Sequence, residues 1–125
     1  MIHLDTHVLV WLFGQQFDRV PAAVRRRIES EPVAISPMVT LELRYLFEVK
    51  KVSGPPQDVL DDLGTSIELA ISDAPFPRVV AAALDLDWTR DVFDRLICGQ
   101  AIADDAALIT ADRRIRDHFS QAAWD

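Results

Sequence analysis

Apolar residues along this chain fall into two alternating kinds of run. Four are short and continuous, Ile2–Leu4, Val33–Ile35, Leu69–Ile71 and Ala107–Thr110, the pattern of strands buried on both faces. Between them apolar residues recur at helical spacing. Met38–Lys50 places Val39, Leu43, Leu46 and Phe47 on one stripe. Thr6–Phe13, Pro21–Ile28, Gln57–Leu63, Arg78–Leu84, Val92–Asp104 and Asp112–Phe119 are predicted as further helices, with Thr6 as an N-cap and Pro21 in a first turn. Strands alternating with helices predict an α/β sandwich around a parallel sheet of four or five short strands. The only break is Ser53-Gly54-Pro55-Pro56, which reads as a loop between helices, so residues 1–125 are expected to form a single domain.

Composition narrows the field. A chain of 125 residues has room for one ordinary core without covalent staples. Its lone cysteine, Cys98, excludes an internal disulfide and any multi-cysteine zinc site. No apolar run approaches the ~20 residues of a membrane span, and Met1–Asp5 has no basic leader, so the expected location is the cytoplasm. Thirteen Lys+Arg against 20 Asp+Glu give a net charge of −7, which argues against a simple electrostatic clamp on nucleic acid.

Several of those acids stand where a parallel sheet collects its ligands, beyond the carboxyl ends of the strands. Asp5 ends the first strand, Asp112 follows the last of the four, and Asp94 lies in the first turn of a helix. Each has a plain structural explanation as a helix cap, and Asp91 and Asp94 have the spacing of a capping box. Glu42 resists that explanation, since it lies mid-helix at the border of the apolar stripe, where a carboxylate needs a partner. The plain alternatives to a cation are an edge position from which Glu42 snorkels out to solvent, or a pairing with Arg44 or another arginine. Carboxylates converging on one cleft repel unless a cation sits between them, and oxygen-only ligands favour Mg²⁺ or Mn²⁺ over zinc. Such a site suits phosphodiester hydrolysis.

At these residues the chain resembles the PIN-domain ribonucleases, and within them the VapC-type toxins of toxin–antitoxin pairs. The matching blocks are His3-Leu4-Asp5-Thr6-His7-Val8-Leu9-Val10-Trp11-Leu12 and Ser36-Pro37-Met38-Val39-Thr40-Leu41-Glu42. Two more are Asp91-Val92-Phe93-Asp94-Arg95-Leu96-Ile97 and Leu108-Ile109-Thr110-Ala111-Asp112-Arg113-Arg114-Ile115. The resemblance implies a three-layer α/β/α sandwich and a Mg²⁺-dependent endoribonuclease toxin, with Mn²⁺ as substitute. It implies a catalytic quartet of Asp5, Glu42, Asp94 and Asp112, of which Asp5 and Asp94 are the direct metal ligands. An RNA substrate, a cognate antitoxin that masks the cleft and a homodimer are implied as well. Val92 departs from the proline many relatives carry, and the family's terminal strand is hard to see in Gln121–Trp124.

The remaining signals are weaker. His3 and His7 flank Asp5, but a helix starting at Thr6 breaks the alternation that would put all three on one face. His118 reads as a surface residue near a helix end. Arg25-Arg26-Arg27 reads as a solvated helix face, with RNA phosphate as the alternative. Arg95, Arg113 and Arg114 adjoin the acids and are candidates to steady phosphate or carboxylate. Thr110 is read as either a substrate contact or a cap, and Trp11, Trp88 and Trp124 as core or partner contacts. A receiver-type signalling domain, also acidic and Mg²⁺-binding, is the rival reading. It needs an acidic pair after the first strand and a lysine after the last, whereas the only lysines are Lys50 and Lys51. Setting the proposed quartet aside leaves 16 acids against 13 basic residues, so much of the acidity belongs to the site itself.

Overall fold

The computed structural model describes residues 1–125. Five parallel strands run β1 (Ile2–Leu4), β2 (Val33–Ile35), β3 (Leu69–Ile71), β4 (Ala107–Ile109) and β5 (Ala122–Ala123), in the spatial order β3-β2-β1-β4-β5. The helices are α1 (Thr6–Phe13), α2 (Ala22–Ser30), α3 (Pro37–Glu48), α4 (Pro56–Gly64), α5 (Phe76–Leu84), α6 (Val92–Ala103) and α7 (Arg113–His118). All four predicted strands are present, and the fifth is the one the sequence scarcely marks. Its Ala122 and Ala123 are poor strand formers that pair only because Leu108 and Ile109 lie beside them.

Register is set by burial. Central β1 is covered on both faces, so Ile2, His3 and Leu4 are fully buried, and β1 pairs in parallel with both β2 and β4. Steps from β1 to β2 to β3 go one way across the sheet, and steps to β4 and β5 go the other. Right-handed crossovers therefore assign α1–α4 to one face and α5–α7 to the opposite face, which makes three layers. One core joins them, built from Ile2, Leu4, Val8, Leu9, Ile35, Leu43, Ile97 and Leu108 among others. On the second face α5 and α6 approach so closely that a Cβ on Gly99 would stand 2.7 Å from the Val79 carbonyl oxygen, so only glycine fits there.

His3 is a polar residue fully buried in the core, with Ser36 and Gln100 buried near it. Its Nε2 lies 2.7 Å from Asp104 Oδ2, and Ser72 Oγ donates to the same oxygen at 2.6 Å. Gln100 continues the chain, donating to Ser72 and accepting from Ser36. This network ties β1, the ends of β2 and β3, and α6 together. Burial lowers the His3 pKa against the pull of Asp104, and the ring is committed to a structural contact.

Candidate active site

Strand direction reverses its progress between β1 and β4, and the crevice beyond their carboxyl ends is the topological switch point. A cavity of about 370 Å³ opens there, lined by Asp5, Glu42, Asp91, Asp94 and Asp112 with Thr6, His7 and Lys51. The structure thus brings all four acids singled out from sequence to one cleft, together with Asp91.

Asp5 leaves β1 with 4 % exposure and is the N-cap of α1, displacing Thr6 from the cap position expected for it. Its Oδ1 accepts the Thr6 backbone N–H at 2.8 Å and its Oδ2 accepts the Thr110 hydroxyl at 2.7 Å. The freed Thr6 hydroxyl donates to Glu42 Oε1. Glu42 therefore faces the cleft with a hydroxyl partner, and the arginine pairing considered for it does not form: Arg44 turns to Glu48. Burial first, then Asp5 and Asp91, raise the Glu42 pKa above the usual carboxylate range, with the Thr6 hydroxyl opposing.

Asp91 and Asp94 separate into two roles. Asp91 caps α6, its Oδ1 accepting the Asp94 N–H at 3.0 Å. Asp94 has no such duty, and its own carboxyl is pushed up to about 7, mostly by burial and further by Asp91, Asp5, Asp112 and Glu42. Asp112 caps α7 by accepting the Ile115 N–H at 3.1 Å, and its own N–H donates to Thr110 Oγ1. Thr110 thereby resolves into neither of its two expected roles alone: it couples Asp5 to the turn that carries Asp112.

His7 also lines the cleft, but the Ala111 N–H donates to its Nε2 at 2.9 Å. That bond occupies the lone pair and leaves the proton on Nδ1, which sits 3.6 Å from Asp5 Oδ2. Burial holds the His7 pKa below its ordinary value, so the ring is neutral and has no free lone pair for an ion. The donor set is then all carboxylate oxygen, which fits a hard divalent cation and not zinc. No three His, Cys, Asp or Glu side chains are drawn into a preformed ion cage, so the fit rests on the chemistry and crowding of the acids.

A profile of the PIN domain family matches residues 2–120. The chain belongs to the PIN-domain family. It is similar to Ribonuclease VapC22 of Mycobacterium tuberculosis (strain ATCC 25618 / H37Rv), 30% identical over an alignment of 118 residues, with 92% of this chain and 89% of that one covered. This is a PIN domain of the VapC type. The crystal structure of VapBC2 from Rickettsia felis bound to a DNA fragment from their promoter aligns with a TM-score of 0.70 at 24% identity over 100% of both chains. A toxin–antitoxin complex from Klebsiella pneumoniae aligns at 0.68 with 17% identity, over 98% of this chain and 96% of that one. Both share the fold, and the family membership displaces the receiver-type reading.

In this PIN domain two expectations about arginine are corrected. Arg95 donates from Nε and Nη2 to the Ala83 carbonyl and from Nη2 to that of Leu84, closing the C-terminus of α5. Arg114 Nη2 donates to the Trp88 carbonyl at 2.7 Å. Both guanidinium groups satisfy helix-end and loop carbonyls, contacts that sequence adjacency to an acid does not reveal. Replacing Arg95 by Met is accordingly expected to cost about 1–2 kcal/mol of stability, measured by urea unfolding, with the cleft unchanged. Arg27 of the basic run pairs with Glu31, which agrees with a solvated helix face. His118 is exposed as expected and stacks on Trp88. Trp11 and Trp124 pack against the core and against each other, with Arg19 over the Trp11 ring.

Two site residues escaped the sequence reading, Thr6 and Lys51. The Asp-Thr pair after the first strand was the available signal for Thr6, because a residue right after an N-cap is free to aim its hydroxyl sideways. Lys51 gave none.

Proposed function

We propose that the chain is a Mg²⁺-dependent endoribonuclease toxin, with Mn²⁺ as a substitute, that hydrolyses RNA phosphodiester bonds and is neutralised by a cognate antitoxin. The observation that carries this reading is the convergence of Asp5, Glu42, Asp94 and Asp112 at the β1–β4 switch point, where burial first and the neighbouring carboxylates next raise Asp94 to about 7. Such an arrangement is costly without a cation and useful with one. The name of the related Ribonuclease VapC22 supports RNA as the substrate class.

Asp5 and Asp94 would hold the ion, with Glu42 and Asp112 completing the site. A bound divalent cation would polarise the scissile phosphate and make water a better nucleophile. The chain's own residues supply positioning. Two hydrogen bonds, from the Thr6 N–H and the Thr110 hydroxyl, lock the Asp5 carboxylate, so its orientation need not be organised during reaction. Glu42 engages Thr6 through Oε1, which leaves Oε2 for water, and its raised pKa suits it to hold a proton there.

The partners follow the same logic. An antitoxin is supported by the toxin–antitoxin complexes among the similar folds, and an acidic cleft suits an arginine-bearing segment of it. A complex held this way is expected to weaken steeply between low and high salt, measured by equilibrium binding. Residues 1–125 acting as one domain, as a homodimer and in the cytoplasm complete the proposal; no helix is long and apolar enough to cross a membrane.

The deciding experiment is cleavage of RNA by purified protein in Mg²⁺, Mn²⁺ or EDTA, with cut sites mapped. Cleavage in either ion and none in EDTA is expected. RNA left intact in both ions would overturn the reading.

A further inference from the structure

We propose that Lys51 is a phosphate-binding residue of the cleft, holding a phosphate of the RNA strand next to the acids. The proposal rests on the ribonuclease reading and adds a substrate contact to it. Among the residues lining the cleft, five are carboxylates and Lys51 is the only lysine or arginine. Surrounded by so many acids, an ammonium there would be expected to serve as their counter-ion. It does not: the ion pairs of this chain are Arg27–Glu31 and Arg44–Glu48, the remaining close contacts of base with acid are those of the His3 and His7 rings with Asp104 and Asp5, and none involves Lys51.

The backbone holds this lysine over the cleft by a specific device. α3, the helix that carries Glu42, ends in a left-handed residue, Lys50, with φ of 64°. Its N–H donates to the Phe47 carbonyl at 3.0 Å, and the Lys51 N–H donates to that of Leu46 at 2.8 Å. These are the two bonds of a Schellman cap, which turns the chain back across the end of the helix. Leu46 and Val52, the latter 7 % exposed in the core, share the cleft lining with Lys51. The root of the side chain is therefore fastened on both sides, in a residue that stays exposed.

Charge explains what such a residue would do. A divalent cation offsets two of the five carboxylate charges, which leaves the cleft still hostile to a polyanion. One unpaired ammonium at its edge gives a phosphate oxygen a fixed attractive partner in a field that otherwise repels it. As a point charge, lysine makes that contact without bidentate geometry, so arginine should serve nearly as well.

The test uses the full chain and a synthetic single-stranded RNA spanning a mapped cut site. Lys51→Met is expected to raise KM about tenfold, with kcat within about twofold, and to make the dependence of log KM on log salt shallower by about 0.7. Lys51→Arg is expected to restore both. Mn²⁺ affinity, read by thermal shift without RNA, should stay equal or tighten in Lys51→Met, because a positive charge has left the cleft. Unchanged KM and salt slope in a Lys51→Met protein that cleaves would overturn the phosphate contact alone. Weakened Mn²⁺ binding with a matching loss in kcat would also overturn it, assigning Lys51 to the acid site. A wild-type protein that cuts no RNA would bring down the ribonuclease reading and this contact with it.

Discussion

Changing Asp5 and Asp94 together to Asn is expected to lower RNA cleavage by more than about 10³-fold while the protein stays folded. The fold survives because neither substitution removes a cap. At position 5 the amide side chain keeps an oxygen for the Thr6 N–H, and the Thr110 hydroxyl can rotate to accept from the amide nitrogen in place of donating to Oδ2. At position 94 the helix is capped by Asp91, whose contact is to the backbone N–H and indifferent to the side chain. What disappears is two negative charges that the proposed cation requires. Circular dichroism and single-turnover cleavage on the same preparation check both halves; undiminished cleavage by a folded double variant would remove these residues from the site.

Asp94→Asn alone is expected to stabilise the ion-free protein, and increasingly so as pH rises. The Asp94 carboxyl stands at about 7 in the folded chain against an ordinary 3.8. A raised acid binds its proton more tightly in the folded state than in the unfolded one. Its contribution is therefore fully present below about 3.8 and is lost as pH climbs through about 7. A shift of this size would be worth roughly 4 kcal/mol in a sealed interior, but the cleft is open to solvent, so about 1–2 kcal/mol is expected. Thermal melts in EDTA should place the variant level with wild type near pH 4 and about 4–8 °C above it at pH 8. A lower Tm at pH 8 would mean that Asp94 supports its helix and that burying its charge among the other acids costs little. Divalent ion should erase the advantage by stabilising only the wild type.

The same residues show how far the sequence could be read. Period and punctuation were enough for the strands at Ile2, Val33, Leu69 and Ala107, because a short apolar run bounded by helical spacing has few other uses. They were not enough for β5, where Ala122 and Ala123 carry no strand preference and the ladder with Leu108 and Ile109 decides. Glu42 was legible as an anomaly, a carboxylate bordering an apolar stripe. Asp94 is preferred to its rival Asp91 in the sequence only by its place before Arg95-Leu96-Ile97 in the family resemblance, and the structure adds that Asp91 is the cap of that helix. The Arg95 guanidinium lies over the end of α5 and not on the acids, because adjacency along a helix does not say which way a side chain points.

By itself the sequence determined the alternation of strand and helix, the acids at their junctions and, through resemblance, the family. These are local facts, written in spacing and residue type. Tertiary structure decided that the acids meet. The order β3-β2-β1-β4-β5 sets β1 beside β4 although their residues are more than a hundred positions apart, so Asp5 and Thr110 share a hydrogen bond. It also decided that Thr6 serves Glu42, that His7 is occupied by a backbone N–H, and that Lys51 overlooks five carboxylates. Those outcomes depend on crossover handedness and on which hydrogen-bonding groups remain unpaired after the sheet and helices form. No local pattern carries that information, because unpaired groups are known only once every other partner has been placed.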